Sequence, residues 1–395
     1  MRDPSDVVVD VAIFGGGIAG LWLLDRLQRE GFSAALFEAE QLGAGQSVAS
    51  QGIIHGGAKY TLGLLRDSAV DELREMPPIW RSALSASKGP DLSSARTLST
   101  RTFMWVPKQV GSNLLGAFSK IVMRSRVSSI SRSDWPAGLN SPSAKGSVYA
   151  LDELVLDVPS VLEALKAGHA SRIRRIPAGE VAHFESGHAR FRIAGTGIRA
   201  QRVVLTAGAG NQALLARAGI KEVRQQLRPL HQVLVAGMKE PLYAHCVGRS
   251  SRPLATVTAH PSAGGDYVWN VGGSIAEEGV GQSERALIAR ARRDLPRLFP
   301  AADFGRARWS TFRVNRAEGA EAGGSRPAGP LVESRGSFIV AWPTKLALAP
   351  ALAERVVRLL NAQQVRPADS RIDSLARLDE PEIARPPWER PMAWS

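Results

Sequence analysis

The residues from Val7 to Phe14 are almost all β-branched or apolar, the pattern of a strand buried on both faces. Glycines follow at positions 15, 16, 17 and 20. From Leu21 to Glu30 apolar residues recur at helical spacing, and Gly31 is placed to end that helix. Ala34–Glu38 is a second short apolar run. The pattern predicts a βαβ unit, two parallel strands flanking a helix, at the start of the chain.

Further along, Gly43–Gly57 is rich in glycine and serine and predicts a loop packed near a ligand. Leu62–Trp80 reads as a helix that stops at Pro77-Pro78. Residues 85–150 carry mixed signals broken by Ser, Gly and Pro clusters. An extended stretch, Glu153–Asp157, leads into a helix at Val158–Gly168. Glu180–Phe184 and Ala189–Ile193 read as a hairpin, and Arg199–Thr206 as a strand broken at Ala207–Gly210. Gln232–Ala236, Leu254–Ala259 and Tyr267–Gly272 predict a second sheet. Ser283–Leu298 predicts a helix ending before Pro300, Phe338–Trp342 a strand, and Leu346–Leu360 a final helix. The tail from Pro367 is rich in Pro and Arg and reads as irregular.

Composition narrows the class. At 44% hydrophobic and 22% charged, 395 residues can bury a sizeable core without staples. The single cysteine, Cys246, excludes a disulfide framework and cysteine-based zinc or iron–sulfur sites within one chain, and no metal site is expected. The net charge of +13 comes mostly from scattered arginines, without a basic block or a zinc-finger or RNA-recognition signature. It reads as a solvated basic surface, and no nucleic acid is expected as partner. No apolar run reaches the ~18 residues of a membrane span. Acidic residues before Val7, Asp10 within the run and the glycines after it do not suit a secretory signal. The expectation is a cytoplasmic protein with at most a peripheral contact at the inner face of a membrane.

Gly15-Gly16-Gly17-Ile18-Ala19-Gly20 fits G-x-G-x-x-G between a predicted strand and helix. In that setting Gly15 permits the tight turn, Gly17 lets the backbone approach a pyrophosphate, and Gly20 lets helix and strand pack closely. The amides at Ile18 and Ala19 lie at the helix start, which favours phosphate charge. Glu38, followed by Ala39, ends the second strand 18 residues after Gly20, where an acid takes ribose hydroxyls. A 2′-phosphate would repel it, which disfavours NADP. Directly after that strand comes Gly45-Gln46-Ser47-Val48-Ala49-Ser50-Gln51-Gly52-Ile53-Ile54-His55-Gly56-Gly57, where an NAD domain would place another helix and strand. Ser47, Ser50 and Gln51 can reach a pyrophosphate or a flavin ring.

In these residues the chain resembles the D-amino-acid-oxidase-like superfamily of FAD-dependent oxidoreductases. Ser50 to Tyr60 looks most like the glycerol-3-phosphate and 2-hydroxyglutarate dehydrogenases, which share an Ile-His-Gly/Ala-Gly run followed by a basic residue or a tyrosine. Arg202–Gly210, including Ala207 and Gly208, resembles the superfamily's second flavin strand, and Val181 matches the valine whose backbone meets adenine. Gly336–Lys345 resembles its C-terminal flavin segment, where a strand leads into a helix facing the pyrimidine end of the flavin. That helix start would stabilise the charge of reduced flavin, with Lys345 and Leu346 beside it. Trp342-Pro343-Thr344-Lys345 stands in place of the usual glycine-rich turn.

The resemblance implies an α/β chain (α+β overall). A discontinuous Rossmann-like FAD domain would comprise residues 1–84, 151–214 and 311–366. Residues 85–150 would form a cap, 215–310 a mixed-sheet substrate domain, and 367–395 an irregular tail. It also implies roles for polar residues. His55 is read as a general base, a covalent flavin attachment point or a structural histidine. His231 matches the strand that crosses above the flavin. Arg313 and Arg316 lie where relatives grip a substrate carboxylate or phosphate, and Lys59 replaces an arginine of the glycerol-phosphate enzymes. The expected function is oxidation of a small anionic 2-hydroxy acid or related alcohol by hydride transfer to N5 of FAD, held without a covalent bond. Oxygen, a quinone or a carrier protein would take the electrons. The alternatives are an amine or amino-acid oxidase on the same fold, or a non-catalytic flavin-binding protein.

Overall fold

In the computed structural model the residues described are 6–56, 67–108, 127–178, 180, 183–184, 189–248, 253–325, 327 and 329–395. Two eight-stranded sheets dominate them. The first strand, Val7–Phe14, lies between Ala34–Glu38 and Thr196–Leu205, parallel to both. Ile173–Arg175 extends the sheet in parallel on one side, and Phe338–Trp342 does so on the other, with Leu331–Arg335 antiparallel at that edge. The hairpin His183–Phe184 and Arg190–Ile193 pairs with the opening half of Thr196–Leu205.

Side chains alternate across this sheet, as the period of two in a strand requires. Ile13, Leu36, Val204 and Ile339 face a core filled by the helices Ile18–Arg29, Val158–Ala167 and Ala349–Ala362. Phe14, Phe37, Val203, Val340 and Trp342 face the opposite core. With both faces covered, the strands read as continuous apolar runs. Asp10, the one polar residue of the first strand, is 2% exposed. Its carboxylate accepts from Ser33 N (2.8 Å), Gln201 Nε2 (2.6 Å) and Ala368 N (3.1 Å), so it ties neighbouring segments to the strand.

The second sheet runs Arg308–Gly319, Gln225–Met238, Tyr267–Gly272, Pro253–Pro261, Ala244–Val247, Thr102–Pro107, Gly146–Leu151, Val127–Ser129. Strands from two separate stretches of the chain, Thr102–Pro107, Val127–Ser129 and Gly146–Leu151 in one and those between Gln225 and Gly319 in the other, thus share one sheet, and Arg308–Gly319 runs across the position where the sequence suggested a domain boundary. One face carries Val233, Val235, Val257, Trp269 and Val271, covered by the helix Glu284–Leu298. The other carries Gln232, Leu234, Asn270, Thr258 and Thr256; Gln232 and Thr256 line the cavity, and Leu234 clusters with Trp388 and Met392 of the tail.

Two elements differ from the sequence reading. Pro77-Pro78 does not end a helix; it opens a second one, Met76–Leu84, after Asp67–Arg74. Proline fits the first helical positions because no intrahelical bond is needed there. The tail beyond residue 367 has only two short 3-10 turns, yet it is pinned along its length. Arg371 exchanges backbone bonds with Val8, and Leu42 with Glu382 and Ala384. Ser395 does so with Trp309. Among the described residues no helix is long and apolar enough to cross a membrane.

Candidate active site

The glycine turn is built by contacts that only glycine permits. Gly15 has φ +105°, and a Cβ there would lie 2.4 Å from Ala207 Cα. A Cβ on Gly20 would meet the Gly15 carbonyl oxygen at 2.0 Å, so Gly20 serves helix–strand packing. On Gly17 a Cβ would meet just one protein atom within 4 Å, Ser47 Oγ at 3.1 Å. The protein thus leaves room at Gly17 for something to approach. Ser47 Oγ accepts the Ile18 N–H at 3.1 Å, at the first turn of the helix. The hydroxyl proton then points elsewhere and suits a phosphate oxygen.

Glu38 Oε2 accepts the Gly16 N–H at 2.6 Å and Oε1 the Glu40 N–H at 2.9 Å. Burial raises the Glu38 carboxyl above its ordinary value, and the N–H groups of Gly16, Glu40 and Ala39 oppose that rise. The carboxylate is held at the strand end, where ribose hydroxyls would donate to it.

These groups line a cavity of about 1250 Å³ between the two sheets. That exceeds the usual ~300–1,000 Å³ of a small-ligand site and leaves space for a dinucleotide together with a substrate. Gly15, Gly17, Ile18, Ala19, Glu38 and Ala39 form one end. Ser47, Ser50, Gln51 and His55 follow along the loop, and Ala207, Gly208, Lys345 and Leu346 come from the later segments. Two glutamines latch the loop to the second sheet. Gln46 Oε1 accepts from Ala317 N at 2.8 Å, and Gln51 Nε2 donates to Thr256 O and Asn270 O at 2.8 and 3.0 Å. Trp342 Nε1 donates to Gly208 O at 3.1 Å, joining the two later segments. Thr344, in the turn between them and the last helix, has φ +60°. This left-handed conformation is strained for a β-branched residue, at the place where glycine would be at ease.

The residues expected to meet substrate are distributed differently. His55 lines the cavity, and its Nδ1 lies 3.4 Å from Glu153 Oε2. His231, which the resemblance placed on the strand crossing above the flavin, does not line the cavity. Alternation along Gln225–Met238 puts His231 on the face opposite Gln232, 2% exposed, with Nδ1 3.1 Å from Gly279 O and Nε2 2.9 Å from Thr311 Oγ1. Burial keeps it below the ordinary imidazole pKa. Arg313 reaches the cavity rim, but it is exposed and its guanidinium donates to Val280 O (2.8 Å) and Gln282 O (2.7 Å). Arg316 is half-buried in the wall and pairs with Glu277 at 3.3 Å. Lys59 and Val181 lie outside the described residues.

Sequence reasoning missed Glu153 and His245, which meet His55 from distant segments, and Arg228, Gln232 and Phe312 in the cavity wall. It also missed the tail, whose Pro387, Arg390, Pro391 and Met392 close one side. Nothing local in the sequence marks these positions; they meet only when the sheets pack.

A parallel sheet, a glycine turn feeding a helix start and an acid at the next strand end define a dinucleotide-binding protein, and the second sheet makes its site a reaction cleft. The chain belongs to the DAO family of FAD dependent oxidoreductases, whose model matches residues 10–359. It is an enzyme of that family, and FAD is its cofactor. It is 44% identical over 393 residues to the Pseudomonas aeruginosa protein named "Probable FAD-dependent oxidoreductase PA4991", covering 98% of this chain and 99% of that one. The crystal structure of PA4991 matches with a TM-score of 0.84 at 40% identity, covering 98% and 99% of the two chains. Glycine oxidase from Geobacillus kaustophilus shares the fold at a TM-score of 0.64 and 16% identity, covering 93% of this chain and 98% of that one. L-alpha-glycerophosphate oxidase from Mycoplasma pneumoniae, solved with FAD bound, does so at 0.65 and 14%, covering 90% and 95%.

Proposed function

We propose that the enzyme oxidises a small anionic 2-hydroxy acid or related alcohol. The observation that carries this reading is His55 at the cavity wall with its ring tied to a buried carboxylate, Glu153. FAD, when bound, supplies the hydride acceptor. An alcohol keeps its O–H until the hydride leaves and therefore needs a base; a neutral amine has a lone pair and does not. A histidine backed by a carboxylate answers the first need. Arg228, Arg316 and Lys345 line the same cavity and favour an anion. The likeness of the segment around His55 to glycerol-3-phosphate and 2-hydroxyglutarate dehydrogenases supports the same choice.

FAD on this reading is held by contacts alone. Acid precipitation of the yellow protein should leave the flavin in the supernatant; colour retained in the pellet and lost in His55→Ala would mean a covalent link at that residue. The substrate reading is tested by an anaerobic screen in which 2-hydroxy acids, polyol phosphates, amines and amino acids are each added to the holoenzyme and flavin bleaching is followed. Bleaching by hydroxy acids is the expected result. Bleaching by amino acids alone, with ammonia released, would replace this reading with amine oxidation. Hydrogen peroxide formed on readmitting air would identify oxygen as an electron acceptor.

A further inference from the structure

Glu153 is 1% exposed, and the reading above uses it only as the group that backs His55, without saying what holds it or what it fixes. A buried carboxylate stays ionised only where donors surround it. Four reach this one. Gly56 N donates to Oε1 at 3.1 Å and Thr102 Oγ1 to Oε2 at 3.1 Å; His55 Nδ1 and His245 Nε2 each lie 3.4 Å from Oε2. Burial alone pushes the Glu153 carboxyl up, but the charge of His55 and the hydrogen bonds from both histidines outweigh it and hold the carboxyl well below its usual range.

An ionised carboxylate can only accept, so each ring that bonds to Glu153 does so through an N–H. With Nε2–H given to Glu153, His245 accepts at Nδ1, where Thr256 Oγ1 lies 3.0 Å away. With Nδ1–H given to Glu153, His55 carries its lone pair on Nε2. His55 lines the cavity, whereas Glu153 and His245 are 1% exposed and are not part of its wall. An ordered line of side chains therefore runs from the reaction cleft into the interior.

The geometry points to Glu153, backed by His245, as the positioning residue of the reaction: it holds the His55 ring with Nδ1 protonated and Nε2 basic, and it is the buried counter-charge for the imidazolium. This assignment rests on the reading of His55 as the base. On that reading the substrate's hydroxyl proton would pass to His55 Nε2 as the C=O bond forms, and FAD, when bound, would supply the two-electron acceptor for the hydride leaving carbon. Glu153 takes no proton and remains an anion. Among the described residues, the charged groups of the packed elements include Asp152, paired with Arg81 of the helix Met76–Leu84, and Lys345 of the cavity wall. Replacing Glu153 leaves all three in place.

The test uses holoenzyme labelled with 15N-histidine, with His55→Gln and His245→Gln variants to assign the signals. Neutral His55 should carry its proton on Nδ1. In Glu153→Gln its pKa should fall by about one to three units, the span expected when an opposite charge at this range is removed. Glu153→Asp should recover most of that shift. A His55 titration unchanged in a folded, FAD-replete Glu153→Gln protein would overturn the assignment. Should that variant fail to fold, the wild-type tautomer decides: a proton on Nε2 of neutral His55 overturns it. A stoichiometric transition metal that disappears with Glu153→Gln would also overturn it. The measurement uses no substrate, so a failed hydroxy-acid screen would sink the functional reading and leave this one standing.

Discussion

Trp388 of the C-terminal tail lies flat on His260 of the second sheet, ring centroids 3.8 Å apart and planes 22° from parallel. His260 is 4% exposed, and burial lowers its pKa to about 3. The folded state therefore holds this imidazole neutral, while the unfolded chain protonates it near pH 6.5. Stability from this site is present above about pH 6.5 and should be lost as the pH falls toward 3, by up to ~1.4 kcal/mol per unit. Chemical denaturation from pH 8 to 4 should show that slope, and His260→Gln should flatten it. An equal slope in both proteins would mean other groups govern acid unfolding.

The glycine turn separates folding from cofactor binding. Gly20→Ala brings a Cβ to 2.0 Å from Gly15 O and 2.7 Å from Thr206 Oγ1, so helix and strand must part. It should lower the melting temperature of the apoprotein. Gly17→Ala meets only Ser47 Oγ, at 3.1 Å, and should leave the apoprotein folded while taking the space a pyrophosphate needs. Flavin content read from the visible spectrum, beside apoprotein melting curves, checks both; a fully yellow Gly17→Ala protein would contradict the placement of the dinucleotide.

Thr344 offers a gain in stability. A left-handed residue costs roughly 1–2 kcal/mol, and glycine returns ~0.5–1 of that relief as chain entropy. Thr344→Gly should therefore stabilise the holoenzyme by up to about 1 kcal/mol, read from its denaturation midpoint. A loss of stability would show that the threonine side chain contributes more than its backbone costs.

Arg313 and Arg316 should behave differently. Arg316 is half-buried in the wall beside Glu277; as the substrate's anchor it would make a charge-assisted contact worth about 1.5–3 kcal/mol, which Arg316→Met should remove. The substrate concentration needed for bleaching should rise by about tenfold to a hundredfold, with FAD content unchanged. Arg313 is exposed and bonded to main-chain carbonyls, so Arg313→Met should leave that concentration near its wild-type value. Titrating both variants with the substrate from the anaerobic screen decides; a wild-type titration in Arg316→Met would move attention to Arg228.

Sequence alone determined the dinucleotide end of the site. Val7–Phe14, the glycines and Glu38 are one local unit, and their chemistry depends on spacing along some thirty residues. The apolar runs likewise announced strands covered on both faces, because alternation within a fully buried sheet leaves no polar stripe. Tertiary structure decided the substrate end. His231 and Gln232 are neighbours in sequence, yet the pleat sends one away from the cavity and the other into its wall. Glu153 and His245 are separated by 92 residues and meet at 3.4 Å only because the short strand after Glu153 pairs with Ile53–Ile54, and Ile53 and Val155 share a core with the second sheet. The tail carries no periodic pattern, and its place over the cavity is set by single contacts such as Leu42–Ala384 and His260–Trp388. Local periodicity reports what each segment prefers; which polar side chains share a cleft depends on the packing of segments far apart in the chain, and that is settled only when the two sheets close on each other.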